Sequence, residues 1–258
     1  MTIALKSDKE IEILREGGRR HAAILKALAD MVEPGLSTLT LEEEARRLIR
    51  EEGDKPAHLG YTPYGASRPF PAALCVSVND EIVHGIPNEV PKVLKQGDVV
   101  KIDLSLIHKG MFTDSAITVG VGALDDEAQQ LLEVTKAALV AGIAAALPGG
   151  KIGDIGAAIS AVVEPSGFSL AKDLVGHGVG YKIHEDPYVP NVGKKGTGEE
   201  LVPGLVIAIE PMVNTGKPGW KTLPDGYTIS TKDGSRSAHF EHTVAITEKG
   251  NIILTSND

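Results

Sequence analysis

The sequence predicts an α+β fold built from two related halves, and three observations predict it. Two long helical patterns stop at Pro34-Gly35 and Pro148-Gly149, and each is followed by a shorter one whose stopping glycine, Gly53 or Gly167, lies eighteen residues beyond the first. "GDVVKID" at 97 to 103 parallels "GLVIAIE" at 204 to 210, each with an acid six positions after its glycine. "DSAITV" from Asp114 likewise resembles "EHTVAI" from Glu241, and "HGIP" at 84 to 87 echoes "HEDP" at 184 to 187. Such internal repetition predicts halves of about 10–122 and 123–258, packed as one pseudo-symmetric domain over residues 1–258.

Each element has its own warrant. Residues 10 to 33 carry apolar positions at helical spacing, and a second helix begins at a Ser37 or Thr38 cap. "DVVKIDLSLIHKGMFTDSAITVGVG" holds two β-rich runs about the turn-like "HKG", so an antiparallel hairpin is expected, with His108 in its turn. Residues 125 to 147 repeat the first helix, and "IGDIGAAISAVVEPSG" repeats the second. "LVIAIEPMV" at 205 to 213 reads as a buried strand, although Glu210 lies inside it, and "AHFEHTVAI" around Glu241 reads as another.

Composition narrows the function. With 42% hydrophobic and 24% charged residues the chain is globular in character, and no apolar run is long enough to span a bilayer. No membrane partner is expected. The first residues turn polar too early for a secretory leader, and the single cysteine, Cys75, fits a reducing compartment, so a cytoplasmic location is expected. Thirty-five acids against 26 bases give a formal charge of −9 without a basic block, which argues against nucleic-acid binding.

The acids carry the chemistry. Val100, Ile102, Leu104 and Leu106 share one face of the first hairpin strand, which puts Asp103 on the other. Closing the hairpin brings Asp114 within about two positions of it. The second half offers Glu210 and Glu241 at matching places, and a pseudo-two-fold relation would gather all four. Ionised carboxylates in an apolar setting need protons or cations. Four of them call for two divalent ions, which in dinuclear hydrolases stand about 3.5 to 4 Å apart. His177, between the glycines of "GHGVG", is the natural imidazole ligand. His239 shares the strand face of Glu241, whereas His242 points away.

At these residues the chain resembles the type I methionine aminopeptidases over essentially its whole length. The matching pieces include "LGYTPY", "LCVSVNDEIVHGIP", "GDVVKIDLSLIHKGMFTDSA", "VGHGVG", "IHEDP", "LVPGLVIAIEPMVNTG" and "DGYTISTKDGSRSAHFEHTVAIT". The resemblance implies the pita-bread fold, two pseudo-symmetric α/β halves around a central antiparallel sheet. It implies five metal ligands, Asp103, Asp114, His177, Glu210 and Glu241, with Asp114 and Glu241 shared by both ions. It further implies release of the N-terminal Met of nascent polypeptides near the ribosome, by a hydroxide shared between two divalent ions, with Glu210 as acid/base. Co, Mn, Fe and Zn all suit such a site. His184 is expected to stabilise the tetrahedral intermediate and His84 to bind the scissile amide; Tyr61, Tyr64, Cys75 and Tyr227 are expected to line the methionine pocket, with Ile183 beside His184. Ile183, Tyr227 and the long "GASRPFPAA" connection depart from the common family pattern. A monomer is expected.

Two rival readings remain at this level. Prolidase and aminopeptidase P share the five ligands but normally carry an extra N-terminal domain, whereas this chain starts almost at the first catalytic helix. A non-catalytic module of the same fold would usually have lost ligands, and here all five are present. The 33 residues from His177 to Glu210 leave no room for the helical insertion of the type II enzymes.

Overall fold

A computed structural model describes residues 3–256. The first half opens with helices α1 (Asp8–Asp30) and α2 (Thr38–Glu51). Ser7 starts α1 by donating its N–H to Glu10 across 2.8 Å, and the Ser37 hydroxyl accepts the Leu39 N–H at the start of α2. Strands β1 (Lys55–Pro56), β2 (Leu74–Val78), β3 (Glu81–Val83), β4 (Val99–His108) and β5 (Met111–Gly120) follow. The second half begins with α3 (Asp126–Ala145) and α4 (Ile152–Val163), and a short 3-10 turn after α4 ends at Gly167. Ten short strands complete it: β6 (Ser169–Leu170), β7 (Val175–Gly178), β8 (Glu185–Pro190), β9 (Val206–Ile209), β10 (Met212–Asn214), β11 (Trp220–Thr222), β12 (Ile229–Thr231), β13 (Ser237–His239), β14 (His242–Thr247) and β15 (Gly250–Ile253).

The hairpin of β4 and β5 closes on Lys109 and Gly110, both at positive φ (49° and 84°), as a two-residue primed turn requires. Its register pairs Asp103 with Ala116 and Ser105 with Asp114. The expected placement of His108 needs correcting. It is the last residue of β4, buried, with its Nδ1 2.7 Å from Asp54 Oδ1. The other edge of β4 carries β1 and β2 end to end. In the second half β15, β14, β9, β7 and β8 form one sheet in that order.

Two apolar cores flank these sheets. Val100, Ile102, Leu104 and Leu106 turn away from Asp103 and pack with Leu28, Leu41 and Ile49. Ile207, Ile209 and Val244 pack with Leu131, Ile155 and Ile159 of α3 and α4. Each such aliphatic side chain stabilises the fold by about 1.5 to 3 kcal/mol relative to exposure. Close helix approach depends on Gly17 and Gly18. A Cβ on Gly18 would stand 2.1 Å from the Leu254 carbonyl oxygen, so these interior glycines are kept despite their poor helix propensity.

The two halves join edge to edge. Glu241 N–H donates to Ala116 O at 3.0 Å, and Thr243 Oγ1 both accepts from Asp114 N–H (2.9 Å) and donates to Asp114 O (2.7 Å). This seam sets Asp114 of β5 against the acids of the second half.

Candidate metal centre

The seam and the β4–β5 register gather the four acids and one imidazole into a buried cluster. Asp103, Asp114 and Glu241 offer oxygens within 4.8 Å of one another, and so do the donor atoms of His177, Glu210 and Glu241. Asp114 and His177 meet the same limit together with His184. Glu241 thus joins Asp103 and Asp114 to His177 and Glu210, while Asp114 and His177 meet again in the group with His184.

The second-half acids do not sit within strands as the sequence suggested. Glu210 lies just past the end of β9, before β10, and Glu241 lies in the break between β13 and β14. Glu241 exchanges its backbone hydrogen bonds with Ala116 across the seam, which interrupts the ladder of its own half.

Electrostatics explain why this cluster calls for cations. Burial, followed by the charge of Asp114, pushes Asp103 well above the ordinary carboxylate range. Burial and the neighbouring acids do the same to Glu210 and Glu241. Asp114 rises to about 7 through burial, opposed by hydrogen bonds from Ser105 and from the Ser115 backbone. Among the described residues, the only basic side chains within 4 Å of these carboxylates are His177 and His239. Burial lowers both imidazoles to about 3, so their contacts with the acids are not ion pairs.

The imidazole is oriented as a ligand. His177 Nδ1 lies 2.9 Å from Gly178 O and donates to it, so the lone pair is on Nε2, which faces Glu210 Oε1 at 3.4 Å and Asp114 Oδ2 at 3.7 Å. Asp103 Oδ1 is buried without any hydrogen-bond partner, and so are both ring nitrogens of His239. A buried carboxylate oxygen without a partner, set among other carboxylates and facing an imidazole lone pair, suits a divalent cation.

A cavity of about 340 Å³ opens onto the cluster, lined by His58, Tyr61, Tyr64, His84 and His184 besides the acids. His84 takes a positive φ of 59°, and its carbonyl accepts from Thr228 Oγ1. His184 packs edge-on to His177 with ring centroids 4.4 Å apart, and its Nδ1 lies 2.9 Å from the Tyr61 hydroxyl. Two expected pocket residues lie behind this wall. Cys75 and Tyr227 are buried with Phe70 and Ala72, because Tyr227 donates its hydroxyl to Arg68 O and packs edge-on to Phe70. His58, which no motif in the sequence singles out, does line the cavity. So does Met212, an apolar and adaptable neighbour for a thioether.

Comparison with known proteins agrees with this geometry. The model of metallopeptidase family M24 matches residues 12–248. A methionine aminopeptidase of Aquifex aeolicus is 50% identical, covering 99% of both chains. The chain belongs to the methionine aminopeptidases of family M24. The crystal structure of methionine aminopeptidase from Thermotoga maritima superposes with a TM-score of 0.93 at 40% identity, covering 99% of this chain and 100% of that one. A prolidase from Pyrococcus furiosus, 22% identical, matches at a TM-score of 0.76 with 98% of this chain but only 66% of its own, and that likeness concerns the fold. The pita-bread architecture expected from the sequence is therefore the one observed, and no described helix is long and apolar enough to cross a membrane.

Proposed function

We propose that the chain hydrolyses the first peptide bond of polypeptides that begin with methionine, using two divalent ions held by Asp103, Asp114, His177, Glu210 and Glu241. The observation that carries this reading is the convergence of the five donors in two buried groups that meet at Glu241, Asp103 with Asp114 on one side and His177 with Glu210 on the other. When bound, such ions supply Lewis acidity, polarising the scissile carbonyl and acidifying the attacking water.

The remaining work falls to the chain's own side chains. Glu210 receives the water proton on a carboxylate oxygen and passes it to the leaving amine. Tyr61 donates its hydroxyl hydrogen to His184 Nδ1, which leaves the Nε2 hydrogen free to stabilise the tetrahedral oxyanion. His84, on the cavity wall, binds the scissile amide. Tyr61 and Met212 present apolar surface to the methionine side chain, with Tyr64 at the exposed rim of the cavity. Nascent chains are the natural substrates, the protein acts as a monomer in the cytoplasm, and residues 1–258 form one catalytic domain of two pseudo-repeats.

Release of methionine from Met-Ala-Ser, with and without added manganese, tests the reading. Metal-dependent release is expected from the native chain and should vanish in Asp103→Ala and His177→Ala. Activity in both variants would overturn the ligand assignment, and faster cleavage of an Xaa-Pro peptide than of Met-Ala-Ser would assign the site to proline-specific hydrolysis.

A further inference from the structure

Beside the five-residue cluster lies a further group of donors, in which His58 and Cys75, used by neither of its two ligand groups, meet Asp103. Cys75 and Asp103 are directly opposite each other in the β2–β4 ladder, so both side chains project from the same face. His58 follows β1, which runs along the same edge of β4. Donor atoms of His58, Cys75 and Asp103 fall within 4.8 Å of one another, and all three residues are buried.

A chain of hydrogen bonds fixes the tautomer of His58. Ser105 Oγ donates to Asp114 Oδ1 at 2.7 Å, so at 3.0 Å it must accept from His58 Nε2. Nδ1 then carries the lone pair, and it faces Cys75 Sγ at 3.8 Å. A metal-ligating histidine characteristically donates its other ring N–H in this way. Bonds of about 2.1 Å to nitrogen and 2.3 Å to sulfur at a tetrahedral angle place the two donors about 3.6 Å apart. The observed spacing is close to that. Asp103 supplies the third donor and has a buried oxygen without a hydrogen-bond partner.

We propose that His58 Nδ1, Cys75 Sγ and Asp103 form a third cation site, selective for a thiophilic divalent ion such as zinc, behind the floor of the substrate cavity. Binding forms a metal–sulfur bond and releases the thiol proton to solvent. Three protein donors leave one position open towards the cavity. Thiolate and imidazole prefer zinc, whereas the carboxylate-rich pair is less discriminating. Resting on the peptidase reading above, the consequence is inhibition: an ion here withdraws Asp103 from the hydrolytic pair and narrows the methionine pocket.

Because Cys75 is the only cysteine, any thiolate-to-metal charge-transfer band reports this site alone. Titration of the full chain with cobalt(II) should show no such band until about two equivalents are bound, then a band that zinc abolishes by displacement. The band should be absent in Cys75→Ser, or in Cys75→Ala should serine impair folding. It should also be lost in His58→Asn, with two equivalents still bound calorimetrically in each variant. No band at any cobalt excess, or a band unchanged in His58→Asn, would overturn the site and leave the Cys75–His58 contact as a simple thiol hydrogen bond. On the native chain, zinc beyond two equivalents should slow methionine release at least tenfold, and in His58→Asn less than threefold. If the two-ion form releases no methionine, the peptidase reading fails while the band still decides the third site.

Discussion

The two halves of the molecule deliver equivalent acids by different means. In the first half Asp103 and Asp114 lie within ten-residue strands whose register is fixed by a two-residue turn. In the second half Glu210 and Glu241 lie where strands stop, and the backbone of Glu241 bonds to the other half. An acid inside a continuous ladder is positioned by its own hairpin. Of the acids in the breaks, Glu241 is positioned by the seam and Glu210 by Asn191, whose Nδ2 donates to its carbonyl at 3.0 Å, and each has one more methylene of side chain to reach the centre. The first half therefore behaves as a rigid platform and the second as a part that must dock correctly.

The largest effect should come from the residue that depends on docking and belongs to both ligand groups. Glu241→Gln keeps the volume and removes the charge, and methionine release should fall at least about a thousandfold, roughly 4 kcal/mol. Calorimetry should show binding of both ions weakened. By contrast, Glu210→Gln should weaken only one ion, because Glu210 belongs to a single group. Equal loss of both ions in the two variants would remove the distinction between shared and unshared ligands.

A second contrast concerns helix glycines of the two halves. At Gly18 in α1 an added Cβ meets the Leu254 carbonyl oxygen at 2.1 Å, and backbone cannot yield cheaply. At Gly142 in α3 it meets Ile159 Cγ1 at 2.9 Å, the side chain of a neighbouring helix. Gly18→Ala should cost about 2 to 3 kcal/mol of stability through overpacking. Gly142→Ala should change stability by less than about 1 kcal/mol, since the gain in helix propensity offsets the shift of Ile159. Urea midpoints of the two variants measure this, and a milder effect at Gly18 than at Gly142 would contradict the packing described.

Much of the platform was legible in the sequence because hairpin geometry is local. The alternation from Val100 to Leu106 and the Lys109-Gly110 turn fix the face of Asp103 and the partner of Asp114 without reference to the rest of the chain. The placement of Cys75 and Tyr227 was not legible. For Tyr227 it depends on a hydrogen bond to the carbonyl of Arg68, 159 residues away, and for Cys75 on the pairing of β2 with β4 opposite Asp103. Glu42 was missed for a similar reason: it reads as a solvated helix position, yet it is buried and accepts the Ala73 and Leu74 N–H groups that start β2. Lys101 is also buried, with Nζ donating to Asn79 O at 2.8 Å, and burial brings it down to about 7. Nothing in "GDVVKID" distinguishes it from an exposed strand lysine.

Ser105 sharpens the view of the first half as a platform. Its hydroxyl holds Asp114 Oδ1 at 2.7 Å, so Ser105→Ala should leave the ligands present but less well oriented. A loss of about 10- to 100-fold in metal affinity or activity is expected. Ser105→Thr, which keeps the hydroxyl, should recover most of it. Loss of folding rather than affinity would show that the hydroxyl supports the ladder and not the ligand.

The smallest effect is a pH dependence seated where α1 meets the hairpin. His21 is buried, with Nδ1 3.0 Å from Thr113 Oγ1, and burial followed by the nearby His242 lowers its pKa from 6.5 to about 3. The folded chain therefore keeps this imidazole neutral where the unfolded chain protonates it. Its contribution is intact above pH 6.5 and is lost progressively as pH falls towards about 3, at up to about 1.4 kcal/mol per pH unit. His21→Gln removes the titration while keeping a polar group near Thr113. Between about pH 7.5 and 5.5, in chelator, the native chain should lose about 1.4 kcal/mol more stability than the variant. Chelator leaves the acids of the centre alike in both proteins, so the difference isolates His21. Parallel shifts of the two urea midpoints would mean that the α1–hairpin interface admits the charged ring, and the first half would then be less rigid than its ladder suggests.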